Sequence, residues 1–281
     1  MHSAKPDDSL LIVILTYNSA GVIERTVRAA QQVGQNVLVV DSHSADNTRE
    51  LAAALGCTVL TRAFKHYADQ RNWAIQEHGS AYPWQLHLDA DEVLSDQAIA
   101  SLRKALQAPG DNDGFLLKRL TYFMDKPLHW AGENSWHMRL FRSGTGACED
   151  RLYDQHFTCS GKVMRLQGVM HDLNVSALAE WTARHNRWSD LEASEVARPV
   201  DNPGKLQGEL SSDPRKRIRL YKGAYYKLPR IWRCLAYFLF RYVLLLGFLD
   251  GRTGFYYCFF QSLWFRMLVD AKLDEAAASP P

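Results

Sequence analysis

The feature that most limits how this chain can fold is a short, uninterrupted apolar run, Leu10–Leu15 (LLIVIL), followed at once by a polar turn, TYNSAG. An apolar run this short, with no polar alternation, marks a strand buried on both faces. Asn36–Val40 (NVLVV) is a second buried strand, and Cys57–Leu60 and Trp84–Leu88 read as a third and a fourth. Helical signals lie between the strands. Val22–Gln32 is amphipathic and closes at Gly34, and Asp46 or Asn47 can cap a helix through Leu55 with Gly56 as its left-handed stop. Tyr67–Glu77 and Ser95–Gln107 read as two more helices. This alternation predicts an α/β domain, a mostly parallel sheet with helices on both faces.

Sheets of this kind bind ligands beyond the carboxyl ends of their strands. The informative positions are therefore Thr16–Asn18, Asp41–Ser44 and Asp89–Glu92. No GxGxxG follows the first strand and no GxxxxGK[ST] occurs, which argues against a dinucleotide oxidoreductase and a P-loop enzyme. The strongest local signal is HLDADE, with Asp89 and Asp91 two residues apart at a strand end. Carboxylates so placed suit a hard divalent cation, which binds through one or two of them plus phosphate oxygens. An isolated pair of this kind would serve equally well at a helix N-terminus. The second strand also ends in an aspartate, Asp41, which strengthens the binding-site reading.

Four segments in this order resemble a family 2 glycosyltransferase of the Rossmann-like GT-A fold. They are the TYN turn (Thr16, Tyr17, Asn18), VVDSHSADNT with Asp41, KHYADQRNWAI with Gln70, Arg71 and Asn72, and LDADE. Their order is similar to that of the bacterial subgroup that includes lipopolysaccharide core β-1,4-glucosyltransferases. The likeness continues through RLFRSG, residues 148–156 and GFLDGRTGF. The resemblance implies an inverting enzyme that moves a hexose from a nucleotide-diphosphate sugar, UDP-linked in the first instance. The acceptor would be a lipid-linked saccharide of bacterial polysaccharide or lipopolysaccharide biosynthesis. Thr16, Tyr17, Asn18, Asp41 and Gln70 would hold the nucleotide together with Asp89 and Ala90, and Arg71 would reach the base or diphosphate. Asp89 and Asp91 would hold Mg²⁺ or Mn²⁺, with His171 in VMHDL as a further ligand. An inverting displacement needs a general base. Asp154 in Tyr153-Asp154-Gln155 is placed first and Asp150 in Glu149-Asp150 beside it. Trp130, Trp136 and His137 fall where an acceptor loop would lie, although their rings suit core packing equally.

Two other readings compete. A sugar-1-phosphate nucleotidyltransferase would want a Gly-rich, Arg-bearing loop that TYNSAG lacks. A non-catalytic membrane-binding protein on the same scaffold is opposed by the retained carboxylates.

Beyond Gly114 the pattern is less regular, with strand-like GFLLKRLTYF and HMRLFR, a helix over Ala177–Val196 and a linker-like stretch at 199–214. These signals place a catalytic domain at 1–204 and a second region at 205–281. Net charge is only +2, so the whole chain does not read as a nucleic-acid binder, yet residues 215–233 hold eight Lys/Arg and no acid, leaving the rest at −6. Two apolar runs follow, Cys234–Leu249 and Phe255–Val269, of 16 and 15 residues. Both are short of the roughly 20 residues that span a bilayer. A helical hairpin turning at Asp250–Gly254, rich in aromatic residues, is expected to lie on an anionic membrane surface with the basic segment binding lipid. Met1–Ser9 is polar and Leu10–Leu15 too short for a signal peptide. The five cysteines are an odd, scattered set with no CxxC pair, which suits a reducing compartment. The expected location is the cytoplasmic face of the inner membrane.

Overall fold

The computed structural model describes residues 7–173, 176–198 and 205–278. Elements in the first half alternate: β1 (Asp7–Thr16), α1 (Ile23–Gln31), β2 (Gly34–Asp41), α2 (Thr48–Ala54), β3 (Thr58–Thr61), α3 (Tyr67–His78), β4 (Trp84–Asp89), β5 (Glu92–Leu94) and α4 (Asp96–Gln107). They continue as β6 (Asn112–Phe123), β7 (Lys126–Pro127), β8 (Trp136–Arg142), β9 (Gly146–Cys148), β10 (Phe157–Cys159) and β11 (Lys162–Asp172). The contacts of the chain define two compact units. One gathers the described residues through Arg119, then Ser135–Asp150 and His156–Leu173; the other holds Leu120–Asn134, Arg151–Gln155 and the described residues beyond 174. The division expected at 204 abuts residues 199–204, which lie outside those described.

The sheet of the first unit runs β3-β2-β1-β4-β8-β6-β11-β5. β3, β2, β1 and β4 pair in parallel, whereas β8 is antiparallel to both β4 and β6, and β11 to β5. The sheet is therefore mixed, parallel only in the half that the strand–helix alternation encodes. Side chains alternate across β1, as a strand requires. Leu10, Ile12 and Ile14 pack with Ile23 and Val27 of α1 and Leu102 of α4. Leu11, Val13 and Leu15 pack on the other face with Ala74 of α3. Each such side chain contributes about 1.5–3 kcal/mol when buried. Gly56 does stop α2, at φ +79°. The N-terminal bonds of that helix come from Asp46, whose Oδ1 accepts from the Thr48 N–H at 3.1 Å.

The second unit contains α5 (Leu178–Ala197), α6 (Pro214–Tyr226), α7 (Trp232–Leu239), α8 (Gly251–Tyr257) and α9 (Phe265–Ala278). A wide helical turn over Phe240–Leu244 extends α7, and a second over Cys258–Trp264 joins α8 to α9. The hairpin bends by 70° between Leu244 and Gly247, where Leu246 takes a left-handed φ of +59°. The bend thus falls before the Asp250–Gly254 turn read from the sequence. Asp250 instead ties a neighbouring loop, its carboxylate accepting from the backbone N–H groups of His129, Trp130 and Ala131.

Candidate active site

Two loops at the carboxyl edge of the parallel strands are stitched together. Asp41 is fully buried, and both its oxygens accept from Ser44, Oδ2 from the backbone N–H at 2.8 Å and Oδ1 from the hydroxyl at 2.5 Å. The Ser44 hydroxyl in turn accepts from the Asn18 N–H at 2.8 Å, and Asn18 Oδ1 accepts from the Ala45 N–H at 2.8 Å. Asn18 and His43 both adopt left-handed φ values, 48° and 60°. Asp41 is sealed from solvent and sets the loop through Ser44. Thr16 is buried as well, while Tyr17 and Asn18 are the exposed members of the first loop.

The DxD turn is held from beneath. Asp89 Oδ1 pairs with Arg71 Nη2 at 2.5 Å and accepts from the Tyr67 hydroxyl at 2.7 Å, and Oδ2 meets Arg139 Nη2 at 3.1 Å. Burial would raise this carboxyl, but Arg71 and then Arg139 outweigh it and hold it at about 2. Arg139 also pairs with Glu92, and Arg119 pairs with Asp172 at 3.7 Å. Arg71 is fully buried and also donates to the Leu88 carbonyl at 2.8 Å. It therefore positions Asp89. Gln70 is buried too; its Oε1 accepts from Arg62 at 2.7 Å. Ala90 is buried, its carbonyl accepting from the Thr26 hydroxyl at 2.6 Å.

Counting charge around the turn isolates one residue. Arg71, Arg139 and Arg119 face Asp89, Glu92 and Asp172, which leaves Asp91 with no ion pair among the described residues. Burial, then Asp172, Asp89 and Glu92, push its carboxyl well above the ordinary range. No three His, Cys, Asp or Glu side chains among the described residues form a ready-made metal cage. A partly exposed, uncompensated carboxylate beside Asp89 and Asp172 still offers hard oxygen donors of the kind a divalent cation takes when phosphate supplies its other ligands. His171 lies opposite Val93 and Asp172 opposite Glu92, so Asp172 and Glu92 share a face of the paired strands and Asp172 is a further carboxylate beside the turn. A proton on Asp91 competes with a cation, so Mn²⁺ affinity should rise as pH climbs above the ordinary carboxylate range. This dependence should weaken in Asp91→Asn, the rest coming from Glu92, which burial pushes up to about 7. Manganese titration followed by electron paramagnetic resonance checks it.

The same helix that steadies Asp89 fixes the acidic motif downstream. Asn72 clamps β9 through two bonds, its Nδ2 to the Cys148 carbonyl at 2.9 Å and its Oδ1 from the Cys148 N–H at 2.8 Å. Glu149 is buried and accepts from the His156 N–H at 2.8 Å. Asp150 follows, exposed and without an ion pair among the described residues. Asp154, in the second unit, is engaged: Arg219 reaches its Oδ2 at 2.7 Å and Lys222 at 3.1 Å. Among the aromatic candidates, Trp130 is exposed, Trp136 lies under Arg165 at 5.4 Å, and His137 contacts the Ser135 hydroxyl at 2.9 Å. Sequence reasoning missed Tyr67, Arg139 and Asp172 and gave Glu92 no role of its own. Only Tyr67, Glu92 and Asp172 carry a signal, as neighbours of residues already singled out.

A mixed α/β sheet with an acidic turn and two stitched loops at its strand ends is the arrangement of the GT-A class of fold. The glycosyl transferase family 2 profile matches residues 11–167. The chain belongs to that family. It is 37% identical over 207 residues to an uncharacterized glycosyltransferase of Rickettsia bellii, covering 69% of each protein. It is 36% identical over 198 residues to one of Rickettsia felis, covering 66% of this chain and 69% of that one. Among solved structures, the mannosyltransferase PcManGT from Pyrobaculum calidifontis, in complex with GDP-mannose and Mn²⁺, superposes with TM-score 0.51 at 14% identity, over 94% of this chain and 86% of that one. That likeness supports the fold.

Proposed function

We propose that the chain is a metal-dependent inverting glycosyltransferase that moves a hexose from a UDP-linked donor to a lipid-linked saccharide of a bacterial surface polysaccharide or lipopolysaccharide. The observation that carries the metal and donor part is the uncompensated Asp91 next to the two stitched loops. A solved relative in fold that carries a nucleotide sugar and Mn²⁺ supports the same reading. The exposed Tyr17 and Asn18 offer a ring face and an amide to the base and ribose. Asp89 is presented ionised by Arg71 and Arg139, and Asp91 and Asp172 complete the oxygen donors. A cation bound there supplies charge neutralisation for the departing diphosphate. Asp150, exposed on the segment that Asn72 anchors, takes the proton from the acceptor hydroxyl. This reverses the order of the two carboxylates read from the sequence, because Asp154 is already committed to two cations.

Release of UDP from a panel of UDP-hexoses, with and without Mn²⁺, tests the proposal. Pyrophosphate release from UTP and a sugar phosphate would point instead to nucleotidyl transfer. Asp150→Asn should lower turnover about 10²–10⁴-fold with UDP affinity unchanged, while Asp154→Asn should act mainly on stability. The opposite pattern would return the base to Asp154.

A further inference from the structure

The hairpin of the second unit is built inside out. Along α7 and its extension, Trp232, Leu235, Leu239 and Val243 recur at helical spacing on the outer face, and Trp232 and Leu244 are 72% and 71% exposed. The two arginines of that stretch point inward, as does Arg266 of α9, while Arg252 at the turn is exposed. Arg233 is buried against Asp270, its Nε 3.0 Å from Oδ2. Arg241 is buried and donates to the Ala131 carbonyl. Arg266 meets the buried Glu192 at 3.1 Å. Gln261 and Ser262 are buried while Phe255 and Phe259 are exposed. In water the opposite arrangement is favoured, since buried ions cost several kcal/mol each and exposed leucines forgo their burial. Apolar surroundings reverse that preference.

We infer that the outer face of the Ile231–Phe259 hairpin sits in the interfacial layer of a lipid bilayer, inserted shallowly and not spanning it. Occupancy by lipid is favoured by this inversion, and by the aromatic rim of Trp232, Tyr256 and Tyr221, all exposed. Shallow insertion is favoured over crossing by the 70° bend between Trp232–Leu244 and Gly247–Ala278, which only together reach the length and hydropathy of a span. The face continues into an apolar groove of about 470 Å³ lined by Met124, Leu178, Phe255, Tyr256, Phe259 and Phe260, wide enough for part of an acyl chain. The electrostatic part of the sequence reading changes. Six of the eight basic residues in 215–233 are spent on acids of this unit: Arg215 on Asp213, Lys216 on Glu209, Arg219 and Lys222 on Asp154, Arg230 on Asp274 and Arg233 on Asp270. Attachment is therefore apolar first. The inference stands apart from the transfer reaction.

Flotation of the full chain with vesicles of phosphatidylethanolamine and a minor fraction of phosphatidylglycerol tests it. Wild type should float, and high salt should weaken partitioning by no more than about threefold. Leu239→Glu with Leu244→Glu should lower it by about tenfold or more, without altering circular dichroism, because both side chains are already exposed. Lipids brominated near the headgroup should quench tryptophan emission more than lipids brominated deep in the chain, and Trp232→Phe should remove most of that quenching. Stronger quenching by the deep label would overturn shallow insertion. A wild-type protein that stays out of the vesicles and sediments as a dimer, which the double variant dissociates, would make this face a self-interface and overturn the inference altogether.

Discussion

Replacing Asp91 with asparagine is expected to remove glycosyl transfer almost completely while making the metal-free protein harder to unfold. The loss follows from the donor role, since a Lewis-acid site contributes several kcal/mol and each 1.36 kcal/mol is tenfold in rate, giving about a thousandfold. The gain in stability follows from the charge count, because Asp91 is the carboxylate without a cation beside it. Its folded-state pKa lies above the unfolded value. The wild type therefore has the associated stability at low pH and loses it as pH rises through the folded pKa. Asparagine carries no such charge. The difference in melting temperature, variant above wild type, should be largest near about pH 8 and shrink towards about pH 5, amounting to a few degrees. Added Mn²⁺ should narrow it by stabilising only the wild type. Scanning calorimetry across pH, beside a transfer assay, reads both effects. A variant that melts below wild type at pH 8, or that keeps a tenth of its activity, would remove Asp91 from this role.

The second large effect is expected at Arg139. Changing it to methionine keeps much of the volume but leaves Glu92, buried to 2% exposure, without its ion partner. Stranding a buried charge in this way costs about 3–5 kcal/mol. Unfolding in urea should show that loss, and Arg139→Met combined with Glu92→Gln should recover a good part of it, as a neutral buried pair avoids the stranded ion. If the single variant costs less than about 1 kcal/mol, the network beneath the acidic turn is not what holds it. Transfer should fall with stability here, in contrast to Asp91→Asn, because Asp89 loses one of its two guanidinium partners.

The parallel half of the fold is legible in the sequence because its signals are local. The continuous apolar runs ending at Leu15 and Val40, and the aromatic and leucine segment ending at Leu88, each mark a strand and, by their last residue, a ligand-facing edge. The antiparallel half is not legible, because the pairing of β8 with β4 and of β11 with β5 joins segments whose turn residues give no register. The acidic turn is visible in the sequence, but the fate of each charge near it is not. Arg71 and Asp41 look from their sequence positions like residues that reach for a ligand. Both are buried in the fold, Arg71 against Asp89, eighteen residues on, and Asp41 against Ser44. The basic stretch 215–233 shows the same limit: its acids at Asp154, Asp270 and Asp274 are separated from it in the chain, so composition alone reads as a free cationic surface. His171 and Asp172 differ by one residue, and only the pairing with β5 shows which of them shares a face with Glu92.

One turn and a little more of α3 carries ties from four residues to three parts of the first unit. Tyr67 and Arg71 hold Asp89, Gln70 reaches the loop after β2 through the Ser42 hydroxyl at 3.4 Å, and Asn72 clamps β9. These attachments behave like spokes on one hub, so a small rotation of the helix displaces all of them in concert. Selection for new sugars should accordingly leave residues 67–72 almost untouched and accumulate its changes on loops the hub does not hold, such as the exposed Tyr17–Asn18 turn. A library that randomises the hub would mostly return dead enzymes, whatever donor is offered.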